Sequence, residues 1–358
     1  MYANETDAFN AFEKGEFDMT DWRVTKDFLD KWSVPPYNNT IKIILYPPPG
    51  SERGYYIFDM NNNPYPTLMD GTPNPAYPAP TSVSSFRHAL AHCMDRDWFV
   101  ANMTQGLSVP MYTLVLPSMT YWLHPGISPG GLLEDLTHPF NTTLAAELMT
   151  ADDFLYKPAE YAWRFWDGKP GSGKPKDGSY QAGEEFQLVI YGRSDHDWRR
   201  DIAYWLAVQL EAAPLMVDVN LILANMSTCY EKVMEEKNFH MYTGGWIFLG
   251  PEPDYLYDLY HPDMYWHPGA PTNYGYYNCT AFNTYAEIVK FPGARTMAEI
   301  RDACLRAQEE WATPCCIGAL PLISTASPKA FARAYTGGTN MTLVSPDDGE
   351  NKYRGLMW

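Results

Sequence analysis

The chain has 358 residues, a formal net charge of −17 and a sequence pI near 4.8, so a phosphate backbone would be repelled and nucleic-acid binding is excluded as a leading role. With 46% hydrophobic and 19% charged residues there is ample apolar surface for a buried core, and no apolar run long enough to span a membrane is present. Thirty prolines and 15% aromatic residues point to ordered loops and to rigid, amphipathic side chains of the kind that line binding clefts.

Residues 5–13 place Ala8, Phe9, Ala11 and Phe12 on one face of a helix that Gly15 stops. A second helix is expected from Thr25 to Trp32, ended by Pro35-Pro36, followed by strands at Ile41–Tyr46 and Tyr55–Met60. The interval Asn61–Pro80 is too rich in Pro, Asn and Gly for regular structure. Ser84 or Ser85 is expected to cap a helix from Phe86 to about Met103, with Arg87 bracing it against the sheet, and Gly106–Pro139 reads as loop. Thr142–Met149 reads as helix, Gly168–Gly183 as a polar insertion, Phe186–Tyr191 as strand, Asp197–Ala212 as helix and Met216–Leu223 as strand. A short helix at Cys229–Glu236, a strand at Phe239–Trp246, an aromatic loop and a helix at Met297–Trp311 complete the pattern. Strands alternating with helices imply an α/β architecture with partly parallel sheets.

The motifs of chemistry mostly fail. Gly168 to Lys174 spells G-x-x-x-x-G-K, but Pro175 stands where a phosphate loop needs Ser or Thr. His88 and His92 have the four-residue spacing of a metal pair, yet no Glu adjoins His88 and no third ligand is evident, so a structural role is expected and no metal or cofactor is assigned. His261, Asp263 and His267 lie among Pro and Gly and read as a turn. No nucleophile elbow or catalytic cysteine signature occurs, and the six cysteines show no C-x-x-C spacing. Asn4, Asn38, Asn102, Asn141, Asn225, Asn278 and Asn340 each begin Asn-x-Ser/Thr, an excess that points to an exported, glycosylated surface or to local turn chemistry. The informative stretch is Met241–Tyr260, where Tyr242, Trp246, Phe248, Tyr255, Tyr257 and Tyr260 surround Gly244-Gly245 and Pro-flanked acids. Glycines followed by Trp at a strand end let a ring project into a cleft.

Several segments, in order, resemble the extracellular solute-binding proteins of ABC transporters that include the dipeptide- and oligopeptide-binding proteins, family 5. AFNAFEKGEFD at Ala8–Asp18 is similar to the helix and G-E-x-D turn of that family, and FRHALAHCMDRD at Phe86–Asp97 to its R-x-A-L-x-x-A-x-D-R helix. Arg193–Val219, Gly245–Leu256 (W-x-x-D-Y-x-x-P), Tyr277-Asn278 and Cys304–Pro321 are similar to later family segments. The resemblance implies a periplasmic-binding-protein-like type II fold with two lobes, mixed sheets and crossover helices, closing on a ligand like a hinge. Relatives are generally longer, so the first lobe is expected to be incomplete: 1–55 and 323–358 would belong to it, and 56–322 to the second, ligand-binding lobe.

The same resemblance implies a monomeric, non-enzymatic, extracellular or periplasmic component of the cell envelope that captures peptides or oligosaccharides and delivers them to ABC permease subunits. Trp246 is the expected stacking platform, with Tyr255, Asn273 and Tyr274 as wall residues and Trp22 near the hinge. Peptide-binding relatives carry an Asp three residues after the Trp to pair with the α-ammonium, whereas this chain has Leu249, which cannot offset the desolvation of a cation. Either Glu252 or Asp254 substitutes, or the ligand is neutral. A secreted carbohydrate-active hydrolase is the alternative, suggested by acidity and aromatic content.

Overall fold

The computed structural model describes residues 5–20, 24–46, 54–68, 70–152, 154–157, 162–166, 186–247, 252–265, 272–325 and 327–332. The Gly168–Gly183 insertion and the phosphate-loop near-miss within it lie outside them. In chain order the elements are α1 (Glu5–Glu13), α2 (Lys26–Trp32), β1 (Ile41–Tyr46), β2 (Gly54–Met60), α3 (Ser84–Ala91), α4 (Arg96–Trp98) and β3 (Ser108–Pro110). There follow α5 (Thr142–Ala151), β4 (Phe154–Leu155), β5 (Phe165–Trp166), β6 (Gln187–Arg193), α6 (Asp197–Glu211), β7 (Asp218–Ala224) and α7 (Met226–Cys229). The last are β8 (Met241–Ile247), α8 (Tyr255–Tyr260), α9 (Thr280–Lys290), α10 (Met297–Ala312), β9 (Ala319–Thr325) and β10 (Ser327–Ala332).

Contacts divide the chain into two units, one of Met1–Glu52 with Ala326–Trp358, the other Arg53–Thr325. In the first, Gly15 takes φ +76° just past α1, the left-handed conformation that glycine adopts without a Cβ penalty. The apolar faces of α1 and α2 meet through Phe9, Phe12, Phe28 and Trp32, with ring centroids 4.9 to 5.6 Å apart. The Trp32 indole donates to Glu13 at 2.7 Å, so the largest ring of the cluster is buried without an orphaned N–H. β1 pairs antiparallel with β10 from Ile41↔Ala332 to Tyr46↔Ser327.

The second unit is built on a six-stranded mixed sheet of order β3-β9-β2-β8-β6-β7, in which β6 runs parallel to β7 and β8 and the other pairings are antiparallel. Alternate side chains of β2 enter two different cores. Phe58 and Met60 join the cluster under α3, α5 and α6, while Tyr55 and Ile57 join the one under α8, α9 and α10. A strand covered on both faces has to be nearly continuous in apolar residues, which explains the GYYIFDM run and makes its one charged member, Asp59, exceptional. Pro321 sits in central β9 at a register shift opposite Tyr56 and Ile57, the kind of irregularity that admits a residue without an N–H.

Several expectations need correction. The helix expected from Phe86 to Met103 breaks after Ala91, because Asp95 accepts from Trp98 N at 2.9 Å and starts α4, followed by a π-helical turn at Phe99–Met103. Ser85 does not cap: its hydroxyl bonds Asp152, and Val83 stands at the N-cap. Arg87 does brace its helix, donating to the carbonyls of Ile317 and, at 2.7 Å, Thr81. Two helices, α8 and α9, occupy ground expected to be aromatic loop. Among the Asn-x-Ser/Thr sites, Asn141 and Asn225 are helix N-caps, accepting from Leu144 N and Thr228 N, so local capping accounts for those two asparagines.

Cys279 at the N-cap of α9 is disulfide-bonded to Cys316, just before β9, across 37 residues of sequence. In the loop-closure account a bridge of that span raises stability by about 4 kcal/mol. Cys316→Ala is therefore expected to lower the free energy of unfolding by about 2–4 kcal/mol. Urea unfolding monitored by circular dichroism checks this, with reductant expected to bring the native chain down to the level of the variant.

Candidate functional site

The carboxyl ends of parallel strands β6, β7 and β8 open into one concave surface, the position at which open α/β sheets ordinarily hold ligands. Arg193 is the last residue of β6, Met226 follows β7, and Trp246 stands one residue before the end of β8. Together with Arg199, from the first turns of α6, they line a cavity of about 260 Å³. Tyr230, Tyr242 and Tyr274 complete an aromatic wall, and Met234 and Thr272 also face the cavity. Trp246 is half-buried, resting against two clusters: that of α8–α10 and a smaller one formed by Tyr191, Phe239, Tyr242 and Tyr274. Its ring is thus held by packing and presents a surface to the cavity.

Gly244-Gly245 works differently from the expectation that it frees the ring. A Cβ on Gly244 would meet the Asp59 carboxylate at 2.0 Å, and one on Gly245 would approach the Tyr56 ring at 3.1 Å. The glycines let β8 lie against the large polar side chains of neighbouring β2. In the register Asp59↔Tyr242, Ile57↔Gly244, Tyr55↔Trp246, these residues alternate on one face, so Asp59 lies in the floor behind the aromatic wall.

Electrostatically the cavity is cationic. Arg193 is held by Asp195 in a two-point contact of 2.5 and 3.1 Å, which fixes its plane and offsets its charge. Arg199 is buried; it donates to Thr243 O at 2.6 Å and lies 5.0 Å from the Tyr242 ring centre. It has no ion-pair partner among the described residues, although Asp59 attracts it at longer range. Burial pushes the Asp59 carboxyl up to about 7, against the opposing effects of the Tyr274 hydrogen bond and Arg199. Burial and the adjacent Asp59 carboxyl hold the Tyr274 phenol well above its ordinary range, so it remains a donor to Asp59.

Trp246 and Tyr274 are brought together at the cavity. Tyr255 is placed elsewhere: it is buried at the start of α8 with its hydroxyl donating to Leu114 O at 3.1 Å. Asn273 is also buried; it donates to the carbonyls of Tyr260, His261 and Tyr277 and accepts from Tyr277 N. It tethers the segment that carries Tyr274. Asp254 pairs with Lys290 at 3.0 Å and Glu252 is exposed; neither lines the cavity. Trp22 and Leu249 lie outside the described residues. His261 caps a short turn, accepting from Asp263 N at 3.2 Å, as the turn reading requires, and His267 is outside the described residues. The sequence did not single out Arg193, Arg199, Tyr230 or Met226 as site residues, because only the parallel pairing of β6 with β7 and β8 gathers them.

The chain belongs to the bacterial extracellular solute-binding proteins, family 5: the pattern of that family's middle region matches residues 1–266. The family is one of binding proteins, which argues against the hydrolase alternative. No curated protein matches the chain in sequence. Among solved structures, the oligopeptide-binding protein AppA from Bacillus subtilis, in complex with a nonapeptide, is similar with a TM-score of 0.66 and 15% identity over 94% of this chain and 55% of its own. NikA from Brucella suis, in complex with Fe(III)-EDTA, gives 0.65 and 15% over 95% and 57%. AgaA from A. tumefaciens R10, in complex with agropinic acid, gives 0.62 and 17% over 95% and 56%. The chain thus spans about half the length of these structures, and the likeness establishes a periplasmic-binding-protein-like α/β fold. No helix among the described residues is long and apolar enough to cross a membrane.

Asp59 predicts a pH dependence. Its folded pKa of about 7 lies above the unfolded value near 4, so its contribution to stability is complete below about pH 4 and is lost as pH rises through about 7. Asp59→Asn is expected to remove that loss, worth up to about 4 kcal/mol between the two limits. Denaturant unfolding of both proteins across this range checks it; parallel curves for variant and parent would assign the dependence to other groups.

Proposed function

We propose that the chain is the ligand-binding component of an ABC importer and that it holds part of an organic solute in the Trp246 cavity. It acts outside the cytoplasm at the cell envelope, as a monomer, with the hinge closure and transfer to permease subunits that the family resemblance implies. The observation that carries the ligand assignment is the composition of the cavity: four aromatic rings and two guanidinium groups line it, and no carboxylate does among the described residues. Flat or apolar ligand surface gains from stacking on the rings, and an anionic group gains from Arg199, which has no ion-paired carboxylate among the described residues. A free ammonium would instead be desolvated beside like charge.

The ligand class that fits is a peptide or other organic acid recognised through a side chain or carboxylate rather than through its amino terminus. A volume near 260 Å³ suits one such moiety rather than a whole peptide. AppA with its nonapeptide and AgaA with agropinic acid support peptides and small acids as the first panels to try. Neutral oligosaccharides make use of the rings and leave Arg199 unused.

Isothermal titration with peptides, acidic solutes and oligosaccharides tests the proposal. Trp246→Ala is expected to weaken the best ligand by about ten- to a hundredfold, equivalent to about 1.4–2.8 kcal/mol. N-acetylation of a bound peptide is expected to leave affinity unchanged within a few fold. If acetylation abolishes binding, the ammonium is the recognised group and the proposed mode is wrong.

A further inference from the structure

His88 and His92, one turn apart at the end of α3, are joined in space by His138, and one ligand atom from each of the three lies within 4.8 Å of the others. The third member comes from 46 residues further along the chain. His138 follows the short helical turn Glu134–Thr137 in a left-handed conformation, φ +50°, which turns its ring back toward α3.

The hydrogen bonds determine where the ring protons are. His92 Nδ1 contacts Pro139 O at 2.8 Å and His138 Nε2 contacts Ala312 O at 2.9 Å. A carbonyl oxygen only accepts, so both ring nitrogens carry protons, and the lone pairs are on Nε2 of His92 and Nδ1 of His138. The latter is a buried nitrogen with no hydrogen-bond partner among the described residues, an arrangement that is costly to keep empty. Ring N–H groups donated to main-chain carbonyls, with the other nitrogen free, are how proteins fix imidazoles for metal coordination.

The ring geometry fits the same chemistry. Centroid separations are 5.1, 5.1 and 5.4 Å, with interplanar angles of 57°, 72° and 88°. Three imidazoles bound to one tetrahedral ion at about 2.0–2.1 Å would have centroids about 5.2 Å apart. Burial lowers His88 to about 4 and His138 to about 3, and lowers His92 as well, which leaves neutral donors at neutral pH. Arg96 is the opposing charge. Its guanidinium is committed to the carbonyls of Pro321, Thr137 and His138 and lies 5.3 Å from the Tyr112 ring centre.

We propose that His88, His92 and His138 form a binding site for a borderline transition-metal dication, zinc or a chemically similar ion, with a fourth position open to water beside half-buried His88. An all-imidazole donor set suits Zn, Cu and Ni and disfavours Mg and Ca. A bound ion would cross-link the end of α3 to the Glu134–Pro139 loop and, through Ala312 O, to the end of α10.

The test is cobalt(II) titration of the full chain after stripping with chelator, followed by zinc displacement and thermal melts with and without zinc. The expected result is one equivalent bound at micromolar affinity or tighter, tetrahedral visible absorption bands that zinc abolishes, and a Tm raised by several degrees at saturating zinc. His88→Gln, at a side chain with no hydrogen bond among the described residues, is expected to weaken binding at least tenfold and abolish the zinc-dependent Tm rise while its metal-free melt is unchanged. His138→Ala should lose binding altogether. The absence of saturable binding by the native chain, or unaltered binding by His88→Gln, overturns the proposal.

Discussion

An ionisable carboxyl in a strand covered on both faces is the constraint around which the Arg53–Thr325 unit is arranged. Asp59 sits in β2 between two apolar cores, where an unsatisfied charge would cost several kcal/mol. Three features accommodate it. Tyr274 donates to it, Arg199 attracts it from α6, and Gly244 leaves the space its oxygen occupies. Each of these is also a determinant of the cavity: Tyr274 forms a wall, Arg199 supplies a cation, and the strand carrying Gly244 also carries Trp246. The geometry of the site is therefore coupled to the satisfaction of one buried group, and the coupling runs through hydrogen bonds that are strong in a low-dielectric interior.

The cavity's charge follows from topology. Parallel β6, β7 and β8 end at one edge of the sheet, and the turn from β6 into α6 delivers Arg193 and Arg199 there. Their environments then separate their roles. Arg193 is neutralised by Asp195, which also accepts from Met226 N and so ties the ends of β6 and β7 together. Arg199 is left with a main-chain carbonyl and a ring face, so its attraction for an anion is less compensated. In a chain carrying −17 overall, a local cationic pocket of this kind runs against the long-range field of the rest of the protein, which is why the proposed ligand carries an anionic group.

Local signals in the sequence located most of the elements and failed where distant contacts decide. Gly15 past α1 and Pro35-Pro36 past α2 act over three or four residues and could be read directly. The break after Ala91 could not, since FRHALAHCMDRDWFV is helical in pattern and only the competing Asp95 cap and the docking of Asn141 N onto His92 O interrupt it. Aromatic density concealed α8 and α9, because Tyr255, Tyr257, Tyr260 and Phe282 pack on Trp311 and one another as core rather than as cleft. Trp246 and Tyr274, expected from the strand-end context and the family resemblance, both line the cavity. Tyr255 is the same residue type as Tyr274 and Asn273 is its chain neighbour, but their polar atoms are already engaged by main-chain groups.

The histidine trio shows the same limit from the other side. His88 and His92 were visible as a pair, and a pair alone is a poor argument for coordination. Adding a third donor is qualitatively different, because three imidazoles with two tautomers fixed outward define a point in space, whereas two define only an arc. The cost of holding them empty is concentrated at His138 Nδ1, buried and without a partner. The buried carboxyl of Asp59, by contrast, is satisfied by Tyr274 within the chain itself. Among the described residues His138 Nδ1 finds no such partner, and the proposed ion would satisfy it.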